Sequence, residues 1–561
     1  MTTRTSSRPH LALWSLSAAA LFLLACGSTG GGATPSPGTG GSSSAPSGGS
    51  SGGGGSGGRT TGGGGGASGG GGGTSSSGGQ GGATSSGGSG GSNEGGSGGS
   101  DAGTTPTPDA PAPDGSAMPP VGSEPLPACK NTVMVANSAE LATKLGAAQP
   151  GDCLILADGD YMFPTITKTA TAAAPIVVRA QNRGKPTVGS IVFMNAAYVV
   201  LEGFTLTGAN VKIVDSQYCR ISRFRFKPQD ATENDWIQMS GSTHHSRIDH
   251  NDLGPKNLLG NIVMFSGGAN AQVVQYNQVD HNFFHDVKGG GGNGWESLRV
   301  GLSGLAASKG FNIIEYNLFK AATGDPETIS VKSCDNTIRY NTFRASNGEI
   351  TLRHGNRTMV YGNFMFSDGL ASARGIRVCG SQHKIYNNYI EGITASASIN
   401  LEGGDSDGGP GDIPGTAHFR VYNAQVVNNT IVNSRGIDVG GGHQFAPKDC
   451  VVANNLVQNP SGGAGIIQTI GENVTYEGNI SSAGAGPGTK VADPKLVKMD
   501  GAFRVTGESP AIDAAVGSYS YVMDDMDGQP RSKADVGADE FAMGPVMRHP
   551  LTEVDVGPDA P

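Results

Sequence analysis

The stretch IIEYNLF, residues 313–319, returns 24 residues later as TIRYNTF, residues 337–343. Related units follow down the chain, and one asparagine of each unit marks the repeat. The steps between successive asparagines are 22 to 26 residues, apart from one step of 41. The series runs through Asn317, Asn341, Asn363, Asn388, Asn429, Asn455 and Asn479, and earlier copies contain Asn251 and Asn282.

A step of this length fits one coil of a parallel β-helix, with three short strands joined by turns. Each coil is too thin to bury a core alone, so the coils must stack. Asparagine tolerates left-handed turn geometry, and its amide can bond to its copy in the next coil. The repeat lacks the leucine pattern of leucine-rich repeats and is too short for propeller blades. We therefore predict an all-β fold, a single-stranded right-handed parallel β-helix, with an insertion at 402–417.

The ends of this domain carry their own signals. Residues 137–161 begin with a short amphipathic pattern, continue through a Pro-Gly turn and end in the apolar run CLILAD. This order predicts a short N-terminal capping helix and then the first buried strand. Residues after about 545 are expected to form a loose tail, so the predicted β-helical domain is 128–545 and the C-terminal tail is 546–561.

The N-terminal segment resembles a bacterial export signal. A basic start precedes an apolar run of about 15 residues, shorter than the ~20 that a membrane span needs. The run ends in LLAC, which resembles a lipobox with Cys26 as the lipidated residue; an ordinary secretory signal is the alternative. Residues 1–26 are thus predicted to be a lipoprotein signal. Residues 27–127, rich in Gly, Ser and Pro, are predicted to be a disordered tether.

Composition limits the function classes. The net charge is −9 with 15% charged residues, which argues against a nucleic-acid binder. Six cysteines besides Cys26 show no CxxC spacing, so a zinc site is not expected. Export permits disulfides; a Cys129–Cys153 bridge is possible, while buried free thiols explain the others equally well.

The stretch GDPETISVKS, residues 324–333, carries the chemistry. Asp325 and Glu327 share one face of a strand, because side chains alternate. Paired carboxylates repel each other unless a cation joins them, and such oxygen ligands suit Ca²⁺. Lys332 has the opposite parity, so a turn or bulge is needed to bring all three together.

Basic residues follow in the next coils. Arg353 comes 21 residues after Lys332 and is expected almost directly over it, one rung away. A basic stripe of Arg353, Arg357, Arg374, Arg377 and Lys384 would suit an acidic polymer lying across the coils. In a uronate polysaccharide, a neutral lysine can remove the C5 proton while a cation stabilises the growing negative charge. The pattern favours β-elimination.

The motifs NGWESLRVG, DPETISVKSCDNTIRYNTF, SNGEITLRHGN and GIRVCGSQHKIYNNYI, between residues 293 and 390, resemble polysaccharide lyase family six, which includes alginate lyases and chondroitinase B-type enzymes. The resemblance implies Lys332 as the base and Arg353 as the acid. It implies a calcium site at Asn293, Asp325 and Glu327, and substrate contacts at Arg299, His354 and Arg377. This chain has Asp325 where the family usually has Glu, and Trp295 where a Gly is usual. Glu349 borders the expected site without an assigned role.

The expected protein is an exported, lipid-anchored lyase for an acidic polysaccharide, with alginate as the first substrate and chondroitin or dermatan sulfate as the alternative. Its partners are this substrate and, through the lipid alone, a membrane; neither nucleic acid nor a protein partner is implied. A non-catalytic glycan-binding surface β-helix remains open. A glycosidase using Asp325 and Glu327 would leave Lys332 and Arg353 unexplained.

Overall fold

The structure is a computed structural model that describes residues 126–561, apart from 229–233, 269, 291, 460–464 and 543. The predicted signal segment, Cys26 and nearly all of the predicted tether lie outside the described residues. In the part of the chain described, no helix is both long and apolar enough to cross a membrane.

Short strands stack into three long sheets in which every pair of neighbours is parallel. The predicted all-β, parallel β-helical architecture is therefore confirmed. The first sheet contains Asn131–Val135, Asp152–Leu156, Ile176–Ala180, Val199–Glu202, Arg220–Ser222, Arg247–Asp249, Gln278–Asp280, Ile313–Glu315, Thr337–Arg339, Met359–Tyr361, Lys384–Tyr386, Gln425–Val427, Val451–Ala453 and Thr475–Glu477.

The second and third sheets complete each coil. The second contains Asp160–Tyr161, Thr187–Val188, Thr205–Leu206, Arg225–Phe226, Asp252–Leu253, Phe283–Val287, Leu318–Ala322, Thr342–Arg344, Phe364–Phe366, Tyr389–Glu391, Thr430–Val432, Leu456–Gln458, Asn479–Ser481 and Thr489–Val491. The third contains Ile191–Met194, Val211–Val214, Ile237–Ser240, Val263–Phe265, Leu298–Val300, Glu327–Lys332, Glu349–His354, Ile376–Val378, Ile399–Leu401, Ile437–Val439 and Ile466–Gln468.

The N-terminal end is covered by helix α1, Ser138–Ala147, as the amphipathic pattern predicted. Asn137 caps it by accepting a hydrogen bond from the Glu140 N–H, and Leu141 and Leu145 are buried. A disulfide joins Cys129 to Cys153, and the four other cysteines in the described residues are buried free thiols. A 3₁₀ turn at Ser303–Leu305 and an antiparallel hairpin of Leu496–Met499 with Ala502–Val505 complete the regular structure.

The C-terminal residues are packed, so the expected loose tail is wrong. Leu551 and Val556 are buried against the coils. The Arg223 guanidinium donates to the backbone carbonyls of Pro558 and Ala560, at 2.9 and 2.6 Å. A strap of this kind needs only a few apolar anchors when a preformed surface receives it.

A buried ladder of asparagines runs along the stack, as the repeat predicted. The side-chain carbonyl of Asn341 accepts from both the backbone N–H and the side-chain amide of Asn317, each at 3.0 Å. The same pair of bonds joins Asn341 to Asn363. It also joins Asn388 to Asn429 across the step of 41 residues. The insertion at 402–417 therefore leaves the ladder unbroken.

Removing one rung should destabilise the whole stack. In Asn341→Ala, the buried donors of Asn317 lose their acceptor, which we expect to cost about 2–4 kcal/mol in free energy of unfolding. The measurement is the shift of the denaturant midpoint. Asn182→Ala, which removes an exposed amide bonded to Asp158, is the matched control. Equal midpoints for the two variants would contradict a structural role of the ladder.

Candidate functional site

Two irregularities in one pair of strands shape the predicted site on the third sheet. Strand Glu327–Lys332 pairs with strand Glu349–His354, and the register shifts between Glu327 and Ile329 and again between Val331 and Lys332. The extra residues are Thr328 on the first strand and Arg353 on the second. A bulge reverses the alternation of side chains along a strand. The bulge at Thr328 therefore allows Lys332 to point to the same face as Glu327, as its parity in the sequence required.

The spacing predicted that Arg353 would lie almost directly opposite Lys332, and this prediction is wrong. Lys332 faces His354, and Arg353 is the bulged residue beside it. The error arose because a count of residues per coil does not show a one-residue bulge. Arg353 still contributes to the environment of Lys332, because its positive charge is among the groups that lower the lysine pKa.

Lys332 is buried among charges of both signs. Its exposed fraction is 7%, and its Nζ lies 3.9 Å from Glu296 Oε1. Burial is the main cause that lowers the pKa of Lys332, and the guanidinium groups of Arg299 and Arg353 add to it. A lowered pKa increases the neutral fraction of the amine at a given pH, and the neutral amine is the form that accepts a proton.

Glu296 is the central residue that sequence reasoning missed. It is fully buried, accepts from Arg299 Nε at 2.8 Å and approaches Lys332. It therefore holds two predicted functional residues in place. The available signal was an acidic residue three positions before Arg299 in NGWESLRVG, a spacing that suits an ion pair within one loop.

Asp325 and Glu327 lie together, as their spacing predicted. The carboxylate of Asp325 accepts from the backbone N–H groups of Gly294, Trp295 and Glu327, at 3.1, 3.2 and 2.9 Å. Glu327 accepts from the Ser330 hydroxyl. The bonds to Gly294 and Trp295 bring the loop that carries Asn293 onto Asp325.

The donor set at Asp325 fits a hard cation in part. Asp325 is buried, and within the described residues it has no basic side chain at ion-pair distance. Burial and the charge of Glu296 raise the pKa of Asp325 to about 6, as expected for an uncompensated carboxylate. Glu327 faces Arg353 at 3.5 Å, and Asn293 Oδ1 accepts from Arg299 at 3.2 Å. A cation held by all three residues would share Asn293 Oδ1 with the Arg299 hydrogen bond, since an amide oxygen has two lone pairs.

Arg377 lies on the same face, one coil beyond strand Glu349–His354. Ser330, Thr351 and Arg377 occupy successive rungs of one outward row, and Arg299 precedes them in it. Arg377 pairs with Glu402 at 2.6 Å and approaches Glu327 at 3.9 Å.

Glu349 and the expected basic stripe complete the comparison with the sequence. Glu349 lies opposite Glu327, and burial raises its pKa to about 7. The stripe is only partly formed. Arg357 is bound to Asp335 and Asp412, and Lys384 lies in the first sheet over the ring of Tyr521. Proximity in sequence placed these residues together, but the turns of the coil send them to different faces.

His354 is enclosed beside this cluster. Its exposed fraction is 1%, and its ring stacks 6.3 Å from that of His418, which stacks 4.9 Å from that of His443. Burial, with the charge of Arg353 as the next cause, lowers the pKa of His354 to about 3. The ring is therefore neutral throughout the physiological range.

A polar cavity of about 340 Å³ lies further along the outward row, towards the N-terminal coils. Lys212 and Gln238, which line it, occupy rungs of the row that leads through Met264 to Arg299. The charged cluster and the cavity thus lie along one line that crosses the coils, an arrangement that suits an extended polymer better than a compact ligand.

The site is thus a mixed cluster of carboxylates and cations on one face of a parallel β-helix. A family model described as Chondroitinase B matches residues 135–461, more than half of the chain. The protein belongs to the chondroitinase B family, and the resemblance to polysaccharide lyase family six is confirmed. A search among curated protein sequences found no significant match.

Several solved structures share the fold. The family 6 alginate lyase AlyGC is 25% identical with a TM-score of 0.64, over 76% of this chain and 58% of AlyGC. The chain thus spans a little over half the length of that relative. A mannuronic acid-specific family 6 lyase from human gut microbiota is 25% identical with a TM-score of 0.50, over 63% of this chain and 86% of its own. Pedsa3628 from Pseudopedobacter saltans, 22% identical with a TM-score of 0.54 over 72% and 99%, supports the fold alone.

The enclosure of His354 predicts a distinct titration behaviour. With histidine labelled in the ring nitrogens, the NMR signals of His354 should stay those of a neutral ring from pH 8 down to pH 5. His285 is the internal control: burial alone would lower its pKa, but the carboxylates of Asp252 and Asp286 outweigh burial and raise it. Signals are assigned with His354→Gln and His285→Gln. Protonation of His354 above pH 5 would contradict the enclosed geometry.

Proposed function

We propose that the protein is a polysaccharide lyase that cleaves a uronate-containing polymer by β-elimination. The observation that carries the proposal is the position of Lys332, buried beside the bulged Arg353 and 3.9 Å from the carboxylate of Glu296, on the strand whose other end carries Glu327. A lysine whose pKa is lowered by burial and by neighbouring arginines is suited to act as a general base that removes a proton from carbon.

In the proposed reaction, the neutral amine of Lys332 removes the C5 proton of the uronate. The C5–H electron pair forms the C4–C5 double bond, and the C4–O4 bond breaks with its electrons on O4. Arg353, the acid implied by the family resemblance, donates a proton to the departing O4. Arg299 and Arg377 orient the sugar carboxylates through charge-assisted hydrogen bonds. His354 lines the proposed substrate cleft, which is formed by the third sheet around Lys332.

Ca²⁺ is the proposed cofactor, with Asn293, Asp325 and Glu327 as its ligands. When bound, the ion would neutralise the substrate carboxylate and favour loss of the C5 proton. The uncompensated charge of Asp325 supports this assignment. Aspartate in place of the usual glutamate retains the carboxylate but shortens its reach.

Alginate is the proposed substrate. AlyGC is an alginate lyase and the gut enzyme is mannuronic acid-specific, and both support this choice. A chondroitin or dermatan sulfate lyase is the alternative within the family. The non-enzymatic alternative is a surface β-helix that binds acidic glycans without cleaving them. The presence of both Lys332 and Arg353 argues against it.

We further propose that the protein is exported, lipidated at Cys26 and held to the cell envelope by the tether 27–127. The lipobox-like end of the apolar run supports this arrangement. The proposed lyase domain starts at 128 and, given the packed strap, includes the residues after 545.

Lys332→Ala should abolish cleavage while leaving the fold intact. The full chain is incubated with polymannuronate, polyguluronate, alginate and dermatan sulfate, and the unsaturated product is followed by its ultraviolet absorbance. We expect kcat to fall at least about 10³-fold, since the variant has no base. Lys384→Ala, which removes a half-buried lysine of the first sheet, is the matched control. Full activity in Lys332→Ala would refute the base, and new reducing ends without ultraviolet absorbance would indicate hydrolysis.

Calcium removal should reduce activity reversibly. After dialysis against a chelator, we expect kcat/KM to fall at least about 10-fold and to recover on addition of Ca²⁺. Asp325→Asn should require more Ca²⁺ for half-maximal recovery, because the ligand loses its charge. Asp368→Asn, which removes an exposed carboxylate paired with Arg344, is the control. Activity that persists with less than 0.1 equivalent of bound calcium, verified by elemental analysis, would contradict the cofactor.

A further inference from the structure

A second group of metal-binding side chains lies at the base of the insertion 402–417. Asp405, His418 and His443 each offer one ligand atom, and these atoms lie within 4.8 Å of one another. None of the three belongs to the predicted calcium site. His418 is 7% exposed, and its Nε2 is buried without a hydrogen-bond partner. A buried ring nitrogen without a partner is costly unless something binds it.

The backbone holds the three ligand segments in fixed positions. The Asp405 N–H donates to the His418 carbonyl at 2.9 Å. Gly404 and Phe445 exchange two backbone hydrogen bonds at 2.9 Å, which ties the segment before Asp405 to the segment after His443. A Cβ on Gly403 would lie 2.3 Å from the His443 carbonyl oxygen, so glycine there permits the close approach. The ligands therefore stand on a connected framework.

The side chains are also oriented for a metal ion. His418 Nδ1 and Asp405 Oδ2 lie 3.2 Å apart, which is close to the separation of two ligand atoms bound to one metal ion. Glu402 adds a second carboxylate, with Oε1 3.8 Å from His443 Nε2, while its Oε2 binds Arg377.

We propose that Asp405, His418 and His443 form a binding site for a divalent transition metal ion of the zinc type. Two imidazoles and a carboxylate suit zinc and its neighbours, whereas Ca²⁺ prefers oxygen ligands alone. In a tetrahedral site with Zn–N bonds of about 2.1 Å, ligand atoms lie about 3.4 Å apart. The exposed Asp405 and half-exposed His443 can make the small adjustment that this requires.

Two other groups of possible metal ligands in the described residues are already engaged by arginine side chains. In the group His250, Asp280 and His281, Asp280 is taken by a bidentate ion pair with Arg247, and the two rings are stacked face to face. In the group Asp525, Asp527 and Asp539, the Arg504 guanidinium is already paired with the carboxylates of Asp527 and Asp539.

An ion at this site would act on the cleft through His354. The ring of His418 stacks on that of His354, the neighbour of Arg353 in sequence. Metal binding would thus tie the insertion to the wall of the proposed cleft. Since the ion has no contact with Lys332, the site is independent of the proposed base.

The test is metal binding by the full chain, purified without a histidine tag and stripped with a chelator. Titration with ZnCl₂ at pH 7.5, in excess CaCl₂, is followed by calorimetry, and Co²⁺ is used in parallel for its visible absorption. We expect one equivalent of zinc, a tetrahedral cobalt spectrum and a raised melting temperature. His443→Ala and Asp405→Asn should each weaken zinc binding at least 10-fold. Both lie at the more exposed side of the site, so the fold should tolerate them.

His285→Ala is the matched control, because this histidine also lies beside two carboxylates but outside the cluster. Its zinc affinity should equal that of the unchanged protein. Binding of less than 0.3 equivalent, or equal loss in His285→Ala and His443→Ala, would overturn the proposal. His418→Gln adds a check at the buried ligand: retained zinc affinity in a variant with an unchanged circular dichroism spectrum would also overturn it.

Discussion

The vertical hydrogen bond between one coil and the next is the constraint on which this protein depends. A coil of about two dozen residues has no interior of its own, so each strand must satisfy its backbone groups in the coils above and below. The asparagine ladder adds a second set of vertical bonds at a turn, where a strand bond is not available. Because each amide is fully buried, a coil that slipped in register would leave donors and acceptors unpaired.

That constraint explains how the chain can carry a reactive cluster. Residues far apart in sequence become neighbours one rung apart, as with Arg299, Ser330 and Thr351. The two bulges then depart from the regular ladder at a single pair of strands. The bulge at Thr328 separates the carboxylate end of the strand from the lysine end, and the bulge at Arg353 sets the arginine beside the paired His354. The stacking of coils brings these residues close together, and the bulges determine the direction in which their side chains point.

The parts of this structure that repeat were predictable from sequence, and the departures from repetition were not. The period predicted the sheets, the ladder and the insertion, since each rests on a residue type that recurs for a physical reason. The parity of Lys332 indicated that a bulge was needed, but not that Arg353 would be its extra residue. Glu296 was missed because a single buried acid has no periodicity. The packed strap was missed because its anchors, Leu551 and Val556, belong to none of the repeat units.

The charges in the cluster are not evenly paired, because Asp325 has no basic side chain at ion-pair distance in the described residues and Arg374 acts only from an exposed position. Five carboxylates, of Glu296, Asp325, Glu327, Glu349 and Glu402, face four cations, of Arg299, Lys332, Arg353 and Arg377, with Arg374 exposed beside them. Burial is the main cause that raises the pKa of both Asp325 and Glu349, and neighbouring carboxylates add to it. A polyuronate would bring further negative charge to this face, and a neutral Lys332 would remove one of the compensating cations. A protein that bound such a polymer by these residues alone would therefore protonate carboxylates or lose affinity. Carboxylates whose basic partners are unevenly distributed are consistent with a site completed by a divalent cation, and it is this uneven pairing, more than the number of arginines, that relates the cluster to an acidic substrate.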